Sequence, residues 1–254
     1  MKQPLADSAL RPKSVSEFSQ QAINHDKSGT DRWMGKEMNK EVAENHRRLQ
    51  ARKELFRRFG YDTEAERDFI LDSAGTFGEC ILEVGTGKGY TTVALARRGY
   101  VFSTFDISSE EQRYARLNLS YWGLEKQVCF ILGSDGNLPF NPESFDTVLS
   151  VNTLHELARP GAILEEMSRV IAPGGMLVLS DFSVEGFELV ERVHRYEGRS
   201  HPVKGVTVGE AALVLAEAGF ETKIKSSRYQ DVLLAWLLRA GSVSGKNDQT
   251  GRVC

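Results

Sequence analysis

The chain has little cysteine: Cys80, Cys129 and Cys254 are scattered across 254 residues. That scarcity argues for a reducing compartment and against a disulfide-stapled scaffold, and the spacing forms no metal-like cluster. Long hydrophobic runs are also missing. The longest, Val232-Leu233-Leu234-Ala235-Trp236-Leu237-Leu238, is far too short to span a bilayer as a helix. The N-terminal stretch from Met1 to Asn24 is polar and has no apolar core of the kind a secretory signal needs. Nor does one sign of charge dominate. Lys and Arg total 32 against 35 Asp and Glu, a net charge of −3, so no global basic field points to nucleic acid. These absences predict a cytoplasmic, soluble protein, and the length suits one α/β domain with an appendage.

The densest signal lies at Ile81-Leu82-Glu83-Val84-Gly85-Thr86-Gly87-Lys88-Gly89-Tyr90, followed by Thr91-Thr92-Val93-Ala94-Leu95-Ala96. An apolar run ends in an acid, glycines follow at alternate positions, and a helical pattern begins at once. Such a turn at the carboxyl end of a parallel strand is where open α/β sheets hold nucleotide-like ligands. A dinucleotide-binding turn requires G-x-G-x-x-G, but Tyr90 stands where its third glycine belongs, which disfavours an NAD-dependent oxidoreductase. A P-loop is excluded because no G-x-x-x-x-G-K-[ST] can be read here.

Upstream, residues 1 to about 34 carry scattered charge and little periodicity. From about Gly35 to Phe59, Val42, Leu49 and Phe56 recur every seven residues and predict a helix. Its Lys and Arg residues form a basic face, but Glu37, Glu41, Glu44 and Glu54 are interleaved at pairing distance, which favours a solvated face. Downstream, strands and helices alternate. Strands are expected at Tyr100–Phe105, Val128–Leu132, Asp146–Ser150 and Met176–Ser180, with Pro173-Gly174-Gly175 as the turn before the last. Residues 183–206 read as a polar, charged insertion. Thr207-Val208-Gly209-Glu210 is a capping box that opens a final helix. Two closing strands, Glu221–Ser227 and Asp231–Leu238, are joined too tightly for a crossover and must pair antiparallel.

This succession resembles the class I S-adenosylmethionine (SAM)-dependent methyltransferases, whose first motif is acid-apolar-G-x-G-x-G. The resemblance runs from about Ile81 to Leu238 and is greatest to the small-molecule ("type 11") group that contains quinone-biosynthesis C-methyltransferases. Gly133-Ser134-Asp135-Gly136-Asn137-Leu138-Pro139-Phe140 resembles the family's Gly-Asp-Ala-x-x-Leu-Pro-Phe run, with Ser134 at the acid's place and Asp135 one residue later. Ser150-Val151-Asn152-Thr153-Leu154-His155-Glu156-Leu157 resembles the segment after strand four in small-molecule enzymes and lacks the Asn/Asp-Pro-Pro-Tyr motif of amino-group methylation. Arg169-Val170-Ile171-Ala172-Pro173-Gly174-Gly175 matches the family's structural turn.

The resemblance implies a Rossmann-like, doubly wound, seven-stranded, mostly parallel sheet with one antiparallel strand, plus an N-terminal helical cap. It divides the chain into a mobile N-terminal segment and helical cap at 1–60, a methyltransferase domain at 61–239 and a disordered tail at 240–254. The implied cofactor is S-adenosyl-L-methionine, with S-adenosyl-L-homocysteine as product. Its implied contacts are Glu83, Gly85, Thr86, Gly87, Gly89, Asp106, Ile107, Ser134 or Asp135, and Ser150. Asp106, about twenty residues past the glycines, is placed to accept both ribose hydroxyls. Glu83 complements the methionine ammonium, and the backbone N–H groups of Gly85 to Gly89 suit its carboxylate. Asp135 or Ser134 would meet the adenine amino group, with Ile107 against its ring.

His155 is the candidate general base, and Trp33, His155, His194, Tyr196 and His201 are candidate acceptor contacts. A metal site from His194, Glu197 and His201 matches no known ligand spacing and is not expected. The expected partner is a small-molecule acceptor, with neither a nucleic-acid partner nor a membrane span. Oligomeric state and acceptor identity are not encoded in any readable motif. Two alternatives keep the fold: a SAM-binding regulatory or scaffold protein without turnover, and an RNA methyltransferase docking through the basic N-terminal helix.

Overall fold

The computed structural model describes residues 31–134, 136–199 and 205–237, with side chains from residue 40 onward. Asp135, His201 and the tail from 238 therefore lie outside the described residues, as do 1–30 and the side chain of Trp33.

Leading the domain are two helices, α1 (Asp31–Arg58) and α2 (Thr63–Ala74). Asp62 caps α2 by accepting from the backbone N–H of Glu64 and Ala65, satisfying donors that a helix start leaves open. There follow β1 (Ile81–Val84), α3 (Tyr90–Arg97), β2 (Phe102–Asp106), α4 (Ser109–Trp122), β3 (Val128–Leu132), β4 (Phe145–Val151), α5 (Pro160–Val170) and β5 (Ile171–Phe182). The remainder is α6 (Val184–Tyr196), α7 (Val208–Glu217), β6 (Phe220–Ser226) and β7 (Gln230–Leu237).

All the strands form one seven-stranded sheet of order β3-β2-β1-β4-β5-β7-β6. β7 runs antiparallel to both neighbours and the other pairings are parallel. The order reverses between β1 and β4, which opens a crevice beyond the carboxyl ends of those strands.

Both sheet faces are buried, as parallel strands require. Leu82, Val84, Leu177, Leu179 and Leu233 turn towards a core shared with Ile163 and Met167 of α5 and Leu215 of α7. Their sequence neighbours Ile81, Val178, Val232 and Leu234 turn the other way, to a core with Leu71 of α2, Leu95 of α3 and Leu119 of α4. The strand period of two thus sorts adjacent apolar residues onto opposite faces. A third cluster joins Phe56 at the end of α1 and Tyr61 to Leu189, Val190 and Val193 of α6.

Two local expectations are corrected. The stretch read as a polar insertion contains α6, capped by Ser183 Oγ accepting from Gly186 N at 3.1 Å. Its apolar residues fall at helical spacing, but interleaved Glu, Arg and His side chains mask the stripe in the sequence. The Pro173-Gly174-Gly175 turn lies within β5, where the register with β4 shifts between Phe145 and Thr147.

Part of the basic face of α1 is paired along its own helix: Arg48 pairs with Glu44, and Arg57 and Arg58 share Glu54. Arg52 and Lys53 reach across instead, to Glu197 at 2.6 Å and Glu64 at 2.7 Å. Asn45 donates to Asn118, which in turn donates to the carbonyl of Lys88 in the glycine loop. Among the described residues no helix is long and apolar enough to cross a membrane, and no group of acids, histidines and cysteines could hold a metal.

Candidate active site

A cleft of about 660 Å³ opens where the strand order reverses, walled by the glycine loop, the ends of β2, β4 and β5, and helices α1, α2 and α6. The loop's shape depends on its glycines. Gly85, Gly87 and Gly89 have φ of +90°, +49° and +76°, a region that L side chains rarely enter. A Cβ on Gly89 would lie 2.6 Å from that of Ala115, so the loop and α4 are pressed together there. At Gly87 a Cβ would meet nothing within 4 Å.

The loop's donors are largely engaged. Gly85 and Thr86 both donate to Phe105 O, Gly87 to Asp106 Oδ2 at 2.7 Å, and Gly89 to Thr86 O. Asp106 Oδ1 accepts from Ser108 N at 2.8 Å, leaving each carboxylate oxygen with further acceptor capacity on the cleft wall.

Glu83 sits behind the loop and does not line the cleft. It is buried, and its Oε2 accepts from Thr92 at 2.7 Å and Thr104 at 2.6 Å. Because the Thr104 proton is used there, Thr86 must supply the proton of the 2.7 Å contact between the two threonine hydroxyls. Burial pushes the Glu83 carboxyl up to about 7, against the opposing pull of the Thr104 and Thr92 hydrogen bonds and the Arg67 charge.

His155 follows β4 in a short 3₁₀ turn, Leu154–Glu156, and lines the cleft although its ring is buried. Val151 is paired with Ser180, which brings this turn beside Asp181 near the end of β5. The His155 Nδ1 lies 2.7 Å from Asp181 Oδ1 and 2.9 Å from Oδ2. Asp181 also accepts the backbone N–H of His155 and of Phe182, which fixes the carboxylate. A carboxylate accepts, so the imidazole donates from Nδ1 to Asp181, while its Nε2 lies 3.8 Å from Glu156 Oε1. Phe182 and Phe187 lie against the imidazole, with ring centroids at 5.7 and 5.3 Å.

Of the sequence-predicted residues, Gly85, Thr86, Gly87, Asp106, Ile107, His155 and His194 line this cleft. Gly89 borders the adjoining cavity instead. Ser134 is exposed and bridged to Asn137, Ser150 is fully buried, and Tyr196 is exposed against Phe59. None of these three lines the cleft.

Asp181, Tyr61, Arg67 and Asn152 escaped the sequence reading. Tyr61 lines the cleft, accepts from Gln230, and is pushed up to about 12 by burial, so its phenol stays neutral. Asn152 has φ +53° at the end of β4, and its buried side-chain oxygen has no hydrogen-bond partner among the described residues. A usable signal existed for Asp181: it is an acid at the end of the strand adjacent to β4, the same placement that singled out Asp106.

The fold and this glycine–acid crevice define a nucleotide-type ligand site of the doubly wound kind. A family model described as "Methyltransferase domain" matches residues 82–179. Over 182 residues the chain is 31% identical to the demethylmenaquinone methyltransferase of Clavibacter sepedonicus, covering 69% of this chain and 71% of that protein. It is 30% identical over 179 residues to the 27-O-demethylrifamycin SV methyltransferase of Amycolatopsis mediterranei (strain S699), covering 68% of this chain and 65% of that one. A SAM-dependent methyltransferase from Aquifex aeolicus shares the fold, with a TM-score of 0.55 and 24% identity over 68% of this chain and 89% of that structure.

The chain belongs to the class I SAM-dependent methyltransferases. Its methyl donor is S-adenosylmethionine. The cleft fits that group: open space beside Gly87, the Asp106 carboxylate, the half-exposed Ile107 side chain and the orphaned Asn152 oxygen offer room, ribose acceptors, an apolar surface and an acceptor for an ammonium.

Proposed function

We propose that this methyltransferase acts on a hydroxyl group of a small, largely apolar molecule, with His155 as general base and Asp181 positioning it. The observation that carries this reading is the His155–Asp181 pair, 2.7 Å apart through Nδ1, with His155 on the cleft wall and Asp181 buried behind it. Bound S-adenosylmethionine supplies a methyl group on a sulfonium, which needs a nucleophile aligned behind it and little else. Proximity and orientation supply about 7–11 kcal/mol in such reactions. A hydroxyl, however, must lose its proton to become a good nucleophile, and a positioned base contributes about 10²- to 10⁴-fold.

In this reading His155 Nε2 takes the proton, and Asp181 holds the ring and stabilises the imidazolium that forms. Leu49 and Phe56 of α1, Leu157, Phe182 and Val190 give the cleft an apolar wall beside the charged Arg52, Lys53 and Arg199, and that wall favours an acceptor with an apolar body. Because Leu49, Arg52, Lys53 and Phe56 of α1 contribute to that wall, this part of α1 serves as a cap on the methyltransferase domain. The names of the two relatives, one a demethylmenaquinone and the other a demethylrifamycin methyltransferase, support a small organic acceptor. The paired charges along α1 support a solvated helix face rather than an RNA-docking arm.

The test is S-adenosylhomocysteine formation with a panel of phenols, hydroquinones and macrocyclic alcohols, using the wild type and His155→Asn. Turnover with a hydroxyl acceptor, reduced about 10²- to 10⁴-fold in the variant, is expected. Methylation of amines or RNA alone, or full turnover without His155, overturns the reading.

A further inference from the structure

Building on the hydroxyl-acceptor reading above, we propose that the acceptor also carries a carboxylate, which Arg52 and Arg199 receive where α1 and the end of α6 wall the cleft. These two arginines share a single acid. Arg52 Nη1 lies 2.6 Å from Glu197 Oε1, and Arg199 Nη2 donates to Oε2 of the same side chain. Both arginines line the cleft, whereas Glu197 does not. Glu197 therefore holds two guanidinium groups on the wall without presenting its own charge to the ligand space. Each guanidinium has five N–H donors, and Glu197 is the only side chain among the described residues to which either donates.

Burial works to raise the Glu197 carboxyl, but the Arg199 hydrogen bond and the Arg52 charge hold it below its ordinary value. The acid is thus ionised, and the trio keeps a net positive charge. Side-chain exposures of 30% for Arg52 and 51% for Arg199 leave both within reach of a ligand. A carboxylate balances that excess and accepts the two parallel hydrogen bonds of an arginine fork. A phosphate monoester, with about 1.5 to 2 negative charges, overshoots it.

Apolar and cationic surfaces are contiguous here. Arg52 lies between Leu49 and Phe56 along α1, and its guanidinium carbon is 5.2 Å from the Phe56 ring centroid. Arg199 N donates to the carbonyl of His194, another residue of the wall, at 2.8 Å. The acids of the wall come from other elements: Asp106 ends β2, Glu111 is in the first turn of α4, and Glu156 follows β4. Such a cleft fits an apolar body with a hydroxyl towards His155 and a carboxylate towards α1, as in a phenolic acid or a hydroxylated fatty acid.

The same three side chains could merely clasp α1 to α6, and calorimetric titration separates the two roles. The full chain, loaded with S-adenosylhomocysteine, is titrated with phenolic acids and hydroxylated fatty acids beside their methyl esters. At least one acid should bind about 10-fold or more tightly than its ester. Arg52→Gln and Arg199→Gln should each remove most of that preference, and Arg52→Lys should keep part of it. Glu197→Gln breaks the clasp but leaves both cations, so acid binding should hold or tighten. Equal affinity for acids and esters, a loss in Glu197→Gln that matches the arginine variants, or arginine variants that weaken only S-adenosylhomocysteine would each overturn the inference. Turnover of the same panel tests the hydroxyl reading separately. Selective acid binding without methyl transfer to a hydroxyl keeps the carboxylate receptor and overturns that reading; hydroxyl methylation with equal binding of acids and esters does the reverse. A methyl ester as the product of an acid overturns both, because the carboxylate would then sit at the sulfonium.

Discussion

His155 Nδ1 donates to an Asp181 carboxylate 2.7 Å away, although the two lie on neighbouring strand ends and 26 residues apart in the chain. The same carboxylate holds the backbone of His155, so ring and main chain are fixed together. Asp181→Asn should therefore act through the histidine rather than by touching the acceptor. The amide can present its nitrogen to Nδ1 and select the wrong tautomer. We expect kcat to fall about 10- to 100-fold with KM for S-adenosylmethionine little changed, read by steady-state kinetics at fixed acceptor. A variant with unchanged kcat would remove Asp181 from the account.

Glu83 makes stability depend on pH with a definite sign. Burial raises its carboxyl from 4.5 to about 7 in the folded state. Between those values the folded chain holds a proton that the unfolded chain has released, so stability falls as pH rises. The contribution is fully present below about pH 4.5 and gone above about pH 7, on the order of 3 kcal/mol. Glu83→Gln keeps an acceptor for Thr92 and Thr104 but cannot titrate. Thermal melts from pH 5 to 8 should show a steeper decline for the wild type than for the variant. Parallel curves would place the Glu83 pKa near its ordinary value.

Two glycines of one loop should fail in different ways. Alanine at Gly89 meets the Ala115 backbone at 2.8 Å with φ +76°, so the fold must shift, and a loss of about 2 kcal/mol or more in unfolding free energy is expected. Alanine at Gly87 meets nothing in the protein and has φ +49°, a strain of about 1 kcal/mol. Its methyl would instead occupy space meant for the ligand, weakening S-adenosylhomocysteine binding more than stability. Chemical denaturation and calorimetry distinguish the two. If Gly87→Ala bound the ligand as tightly as the wild type, the open space beside the loop would not belong to the cofactor.

Local chemistry was most legible where one short segment determined its own structure. The glycine loop, the Asp62 and Thr207 caps and the tight β6–β7 connection needed no distant partner to be read. The place of Asp106 on the cleft wall was legible because strand end, spacing and residue type coincide. Asp181 was legible only as an acid at a strand end; its pairing with His155 depends on the β4–β5 register, which brings Val151 level with Ser180. Helix α6 was hidden because its charged residues outnumber the stripe of Leu189, Val190 and Val193 that faces Phe56 and Tyr61. Glu83 was assigned to the ligand, but the structure turns it towards Thr92 and Thr104 behind the loop. Arg67 carried no sequence signal at all.

The crevice beside Gly85 to Gly89 should bind S-adenosylmethionine through Asp106, and calorimetric titration with S-adenosylhomocysteine measures this. Saturable binding at one site per chain is expected, weakened about 10- to 100-fold by Asp106→Ala, which removes the carboxylate proposed to accept from the ribose. A folded wild-type chain that shows no saturable heat at high micromolar ligand, or an Asp106→Ala variant that binds as tightly as the wild type, would contradict it.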